Sequence, residues 1–358
     1  MVNSKLIVHV SEVDLTERGG MGRVELSWKR EFERRGYRFV HIGPSEVGRV
    51  AHKGLFPFAA YLAYLRLREK AALIIAHEPT AGIFANSGCP LVVESHGIER
   101  RYWQWGLDNR HASWRSRILY PIWRLVCCDV GIKSADLVLV CNQEDLAFVL
   151  DHYHRSADEV FVFRNGVIPT QIDATIQPDA LTACFVGSWL QRKGVSILIK
   201  AADILQARGS QLRWLIGTNI SQDQVLREWP PELRMNVEVV TDFSPEGEQE
   251  LLARSNMFVL ASEFEGQPLS LLQAMETGRC CITTNCCGQK DAVVHGENGF
   301  LFERDDAEQL ADLLQQCMED GQLRLRIGHH AKGSMRLRSW DVTSAEVVDR
   351  VEQMLCGR

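Results

Sequence analysis

The stretch Phe258-Val-Leu-Ala-Ser-Glu-Phe-Glu-Gly-Gln-Pro-Leu-Ser-Leu-Leu-Gln-Ala-Met-Glu-Thr-Gly278 sets the frame for the whole chain. Its first four residues are a short apolar run stopped by polar residues and a glycine, the pattern of a buried parallel strand. Leu269 to Met275 reads as a helix. Between them Glu263, Glu265, Gly266, Gln267 and Pro268 make a tight turn at the positive end of that helix, where backbone N–H groups lack intrahelical partners. In an open α/β sheet ligands sit at such strand ends. A carboxylate there can accept hydrogen bonds from sugar hydroxyls while the helix start, with Leu269 and Ser270, faces a phosphate. Acids are also favoured at helix starts for local reasons, so the turn alone leaves a solvated structural role open.

Outward from this stretch, length and composition narrow the field. At 358 residues the chain exceeds the roughly 250–300 at which single cores stop growing, so two domains are expected. Hydrophobic content of 46% with 24% charged residues is that of a globular protein and not of a disordered one. A formal charge of −6 argues against nucleic acid as a partner. No apolar run approaches the roughly 18 residues of a membrane span, and Met-Val-Asn-Ser-Lys5 lacks a signal-peptide pattern; a cytoplasmic location is the expectation. The 11 cysteines, odd in number and mostly in apolar runs, read as reduced thiols. Cys280-Cys-Ile-Thr-Thr-Asn-Cys-Cys287 lacks paired zinc-ligand spacing, and adjacent strand residues point to opposite faces, so no metal site is expected.

Strands and helices alternate along the chain. Lys5–Val10 is a strand, Asp14–Gly20 a loop ending in two glycines, and Met21–Arg35 a helix closed by Gly36. Arg38–Ile42, Leu73–Ala76, Leu91–Glu94, Ala135–Cys141 and Val160–Phe163 follow as strands, with helices at Phe56–Arg68 and Gln143–Tyr153. His77 and His96 each follow a strand end, where a ligand is within reach. Pro169–Leu181 is polar and aperiodic, the composition of a domain linker. The alternation then restarts with Thr182–Val186, Leu212–Ile216 followed by Gly217, Val237–Val240, Met257–Leu260 and Cys280–Thr283, and ends in helices at Asp306–Glu319, Leu323–Leu337 and from Ser339 to Leu355. The pattern predicts an α/β chain of two Rossmann-like doubly wound domains facing a cleft.

Segment 100–124 stands apart. Arginines 100, 101, 110, 115, 117 and 124 share it with four tryptophans and a single acid, Asp108. Two readings stand: a face for an anionic acceptor or a membrane, or core tryptophans beneath solvated arginines. Pro121 is expected to interrupt any long helix there.

In order along the chain lie Gly19-Gly20 before a helix ending Arg-Arg-Gly-Tyr37, His96-Gly97, Asn165-Gly166-Val167, Lys193-Gly194, Glu265-Gly266, Ala274-Met275 with Gly278, and Gly296-Glu-Asn-Gly299. This series resembles the glycosyltransferases of family 4, with the GT-B fold, over nearly the whole chain. The resemblance implies an acceptor-side domain at 1–168, a donor domain at 169–337, and a terminal helix at 338–358 returning to the first domain. It implies retaining transfer from a nucleotide-diphosphate sugar to a glycan or lipid-linked acceptor, with no cofactor and no metal, and a location at most peripheral to the inner face of a membrane. His96, Lys193 and Glu265 take catalytic roles by that resemblance: Lys193 on the pyrophosphate, Glu265 on the sugar, and His96 near the reacting centre. Gly19, Gly20, Asn165, Ser188, Arg192, Gly217, Glu263, Gly266, Gln267, Pro268, Leu269, Ser270 and Gln273 complete the donor site. Two positions depart from the family pattern. Gln273 stands where a second glutamate usually holds the ribose, and Ser188 where many members carry arginine, with Arg192 close enough in sequence to substitute.

A nicotinamide dehydrogenase would need Gly-x-Gly-x-x-Gly directly after the first strand, and Gly20-Met-Gly-Arg-Val-Glu25 ends wrongly. A GT-B epimerase and a non-catalytic nucleotide-sugar binder are the rival readings.

Overall fold

The computed structural model describes residues 5–18, 20–109, 113–173, 175, 178 and 180–357. The chain divides into two compact units, Met1–Asn165 with Trp340–Arg358, and Gly166–Ser339. Among the described residues the first unit has a six-stranded parallel sheet of β1 (Leu6–Val10), β2 (Arg38–Ile42), β3 (Leu73–His77), β4 (Leu91–Glu94), β5 (Leu137–Val140) and β6 (Val160–Val162), in the order β2-β1-β3-β4-β5-β6. Val8 stands opposite both Val40 and Ile74. Strands β1, β3, β4 and β5 are buried throughout, which is why their sequences run apolar without alternation: helices cover both faces. The chain leaves β1 on one side for β2 and returns on the other for β3, so the carboxyl ends of β1 and β3 flank a topological switch point.

The second unit repeats the plan with β7 (Thr182–Val186), β8 (Arg213–Thr218), β9 (Val237–Thr241), β10 (Met257–Leu260), β11 (Cys280–Thr284) and β12 (Phe300–Phe302), ordered β12-β11-β10-β7-β8-β9. Its switch point lies between β7 and β10, where Met257 pairs with Ala183. Its core is built from the buried faces of these strands, including Phe185, Trp214, Ile216, Phe258 and Ile282. Two Rossmann-like units are the architecture that the alternating pattern predicts.

The terminal helix Trp340–Cys356 belongs to the first unit. It lies along the helix Gly20–Arg34: Ser344 Oγ donates to Ser27 Oγ at 3.0 Å, and Arg35 bonds Glu352 and Asp349 at 2.7 and 2.6 Å. The unit boundary falls after Asn165, ahead of the predicted linker. Val167 N donates to Arg338 O at 2.7 Å, so the chain enters and leaves the second unit side by side. The Pro169–Leu181 stretch lies inside that unit, where Thr170 N donates to Glu276 and Lys332 Nζ to Ile172 O.

Pro121 does not end its helix. The segment runs as helix through Trp114–Tyr120, a π turn at Pro121–Leu125, and helix again at Val126–Ser134. The wider turn absorbs the clash between the proline ring and the preceding turn. Three of the segment's arginines are spent internally. Arg100 bonds Asp129, Arg101 bonds Glu144 and Asp145, and Arg124 bonds Glu12 and Glu99. The outward face is apolar instead: Ile118, Ile122, Val126 and Val130, four residues apart in turn, are 60, 67, 56 and 42% exposed.

Candidate functional site

In the second unit the expected donor residues converge on the carboxyl ends of β7, β8 and β10. After β7 the chain passes Ser188 and a short 3-10 turn, Gln191–Lys193, before the helix Val195–Ala207. Gly194 joins turn to helix at φ 70°, and a Cβ there would stand 1.9 Å from Ala261 O, so only glycine lets this loop lie on the end of β10. Glu263 N donates to Arg192 O at 3.0 Å, tying the two loops together. Lys193 Nζ then forms an ion pair with the Glu265 carboxylate, and Arg192 stands 3.6 Å from it. Burial alone would raise the Glu265 pKa, but Lys193 and then Arg192 outweigh it and hold the carboxyl below its ordinary value.

The turn Glu265–Pro268 leads into the helix Leu269–Glu276, whose opening N–H groups have no intrahelical partner. It is clamped from behind by residues that motif reading missed. Gln289 Nε2 donates to Ser262 O at 2.9 Å, and a Cβ at Gly288 would meet Gly266 O at 2.0 Å. Gly217, on β8, accepts a 2.9 Å bond from Gly187 N at its carbonyl. For Gln289 and Gly288 the only sequence signal is a glycine shortly after a strand, which is too common to single out, whereas Gly217 is expected at the donor site.

Gln273 corrects an expectation. It is buried, its Oε1 accepts from Ile168 N at 3.0 Å, and its Nε2 donates to Ile168 O at 2.8 Å. Both ends of the amide hold backbone, so the side chain fastens the entry of the second unit and is not presented to a ribose. Glu263 is also buried. Gly19 lies outside the described residues. Gly20 opens the helix Gly20–Arg34 in the first unit, and a Cβ there would meet nothing within 4 Å. Asn165 is the last residue of the first unit's leading segment and is buried.

The first unit carries a cavity of about 420 Å³ at its own strand ends, with Val13, Met21, Val50 and Phe56 on the apolar side and Glu12, Lys53, His77, His96, Glu99 and Arg124 on the polar side. Arg124 is spent on Glu12 and Glu99, both within 2.8 Å. Burial, followed by the neighbouring His9, pushes His96 down to about 4, and burial carries His77 well below the ordinary histidine range. Both rings are therefore neutral at neutral pH, and His96 can donate or accept one hydrogen bond at each nitrogen. Beneath the cavity Ser95 Oγ donates to Glu78 at 2.6 Å, and burial, reinforced by Glu99, pushes Glu78 up to about 8.

Two Rossmann-like units, each with a polar constellation at its switch point, define a protein of the GT-B class. Comparison with known proteins narrows this. Residues 18–171 match the model for "Glycosyltransferase Family 4" and residues 170–334 that for "Glycosyl transferases group 1". The D-inositol 3-phosphate glycosyltransferase of Corynebacterium efficiens is 27% identical over 245 residues, 63% of this chain and 58% of that protein. The capsular polysaccharide biosynthesis glycosyltransferase CapM of Staphylococcus aureus is 28% identical over 149 residues, 41% of this chain and 39% of CapM. The alignments thus span about three fifths or less of these relatives. The sucrose-phosphate synthase structure from Thermosynechococcus elongatus superposes with a TM-score of 0.80 at 17% identity, covering 99% of this chain and 100% of that one, a likeness of fold. Matched by the two models in succession, the chain belongs to the family 4 type of glycosyltransferases.

Proposed function

We propose that this chain transfers a sugar, with retention of anomeric configuration, from a nucleotide-diphosphate sugar to a hydroxyl of a glycan or lipid-linked acceptor in cell-envelope assembly. The observation that carries the reading is the Lys193–Glu265 pair at the carboxyl ends of β7 and β10. Family membership and the activities of the inositol-phosphate and capsular relatives support the substrate classes.

In this reading donor binding exchanges partners. The diphosphate takes Lys193, and Glu265, released from the ammonium, accepts hydrogen bonds from the sugar hydroxyls. Lys193, Arg192 and the start of the helix Leu269–Glu276 then stabilise charge where it develops on the departing diphosphate, without a metal ion at that point. Front-face attack lets the acceptor hydroxyl pass its proton to the leaving phosphate oxygen, which needs no pair of carboxylates spaced as in a glycosidase. The cavity of the first unit is assigned to the acceptor, with neutral His96 as a hydrogen-bonding group beside the reacting hydroxyl. The apolar strip from Ile118 to Val130, close in sequence to the basic segment 100–124, is assigned to peripheral contact with the membrane that would hold a lipid-linked acceptor.

The test is a panel of nucleoside diphosphates and nucleotide sugars read by thermal shift, followed by transfer to lipid extracts with anomeric assignment by NMR. A ligand at a hundred times its dissociation constant adds about 2.7 kcal/mol of stability. No response to any diphosphate, or an inverted product, would refute the reading.

A further inference from the structure

We propose that Glu25, Glu94 and His96 form a binding site for one divalent transition-metal cation behind the wall of the first unit's cavity. One ligand atom from each lies within 4.8 Å of the others. The three side chains come from separate elements: the helix Gly20–Arg34, the end of β4, and the loop after it. No sequence spacing announces them.

The two carboxylates are fully buried, and no lysine or arginine among the described residues pairs with either. Each is held by one oxygen only. Ser11 Oγ donates to Glu25 Oε1 at 2.7 Å, and His9 Nε2 lies 2.9 Å from Glu94 Oε1. Glu25 Oε2, Glu94 Oε2 and His96 Nε2 are buried and receive no hydrogen bond from backbone or from a donor side chain, while the two carboxyls face each other at hydrogen-bonding range. Two buried acids so placed need a cation or a shared proton between them, and the nearby imidazole nitrogen supplies the third ligand that favours the cation.

The supporting ring is built in as well. His9 is held from behind by His41, Nδ1 to Nδ1 at 2.9 Å, and His41 Nε2 lies 3.1 Å from Val13 O. A histidine bracing a carboxylate whose other oxygen is free is the support that metal ligands receive. One imidazole nitrogen with two carboxylate oxygens suits zinc, manganese or ferrous iron better than calcium or magnesium, which take oxygen ligands. Coordination at Nε2 would fix the His96 proton on Nδ1, leaving a neutral ring with a defined donor.

The site needs neither donor nor acceptor, so its test is independent of the transfer reaction. The purified full chain is incubated with Zn²⁺ or Mn²⁺, freed of excess ion, and analysed for metal. We expect about one equivalent per chain, bound at least roughly tenfold more weakly by Glu25→Gln/Glu94→Gln. Asp14→Asn/Glu46→Gln, which disables a partly exposed carboxylate and histidine group around His41, should retain the metal. Cobalt loading of the wild type, which depends on no variant folding, should give visible bands without thiolate charge transfer. Absence of stoichiometric metal, equal retention by the glutamine variant, or a thiolate band moving the ion to the cysteines would each overturn the proposal; the first would leave the space to water or protons.

Discussion

Lys193 and Glu265 hold each other's charge in a largely buried setting, so removing either leaves the other uncompensated. Lys193→Ala leaves the Glu265 carboxylate to Arg192 alone and should cost about 3 kcal/mol of stability. Glu265→Gln strands Lys193 beside the like-charged Arg192 and should cost at least as much, and urea unfolding of both variants and the double mutant measures the coupling between them. Purely additive losses would show that the pair is not the structural unit described. Glu78 gives a pH-dependent counterpart. Its folded pKa of about 8 lies above the unfolded value near 4.5, so the native state binds the extra proton and stability falls as pH rises from about 4.5 to 8. Glu78→Gln should flatten that fall between pH 5 and 8, and an unchanged slope of unfolding midpoint against pH would disprove the assignment. Glu265 was legible because a carboxylate, a glycine and a proline between an apolar run and a helix specify a strand-end turn. Gln273 was misread because helical spacing says that it returns to the same region, while only the packed structure shows Ile168 filling both ends of its amide.

At the scale of elements, the strands were the most legible part, since apolar runs of four or five residues have no other home than a covered parallel sheet. The helix through Pro121 was not, because a π turn is decided by how the backbone relaxes around the ring. That turn keeps Ile118, Ile122 and Val126 facing outward on one continuous rod. Ile118→Ser/Ile122→Ser/Val126→Ser should abolish binding to acidic vesicles without lowering the melting temperature, because the three side chains support no core. Arg124→Ala should act oppositely, destabilising the first unit by leaving Glu12 and Glu99 without their shared cation. Retention of vesicle binding by the serine variant in a sedimentation assay would remove the strip from the membrane reading.

At the scale of the molecule, the second unit is a continuous stretch inserted into a discontinuous one. Residues 166–339 begin and end side by side at Val167 and Ser339, so this piece expressed alone should fold cooperatively and keep its affinity for nucleoside diphosphates. Residues 1–165 alone lack Val347, Val348 and Val351, all fully buried, and lose about 5 kcal/mol of apolar burial at roughly 1.5–3 kcal/mol per side chain. Adding the peptide 340–358 should recover native circular dichroism and thermal cooperativity; a stable fold without it would contradict the packing described. The return of the helix Trp340–Cys356 to the first unit also imposes an order on protein synthesis. The ribosome delivers the first sheet early, but its closing helix emerges only after the whole second unit has been made. The nascent chain therefore carries an unfinished domain, with the flank of the helix Gly20–Arg34 uncovered, for the time needed to translate residues 166–339, and that interval is when a chaperone has most to protect.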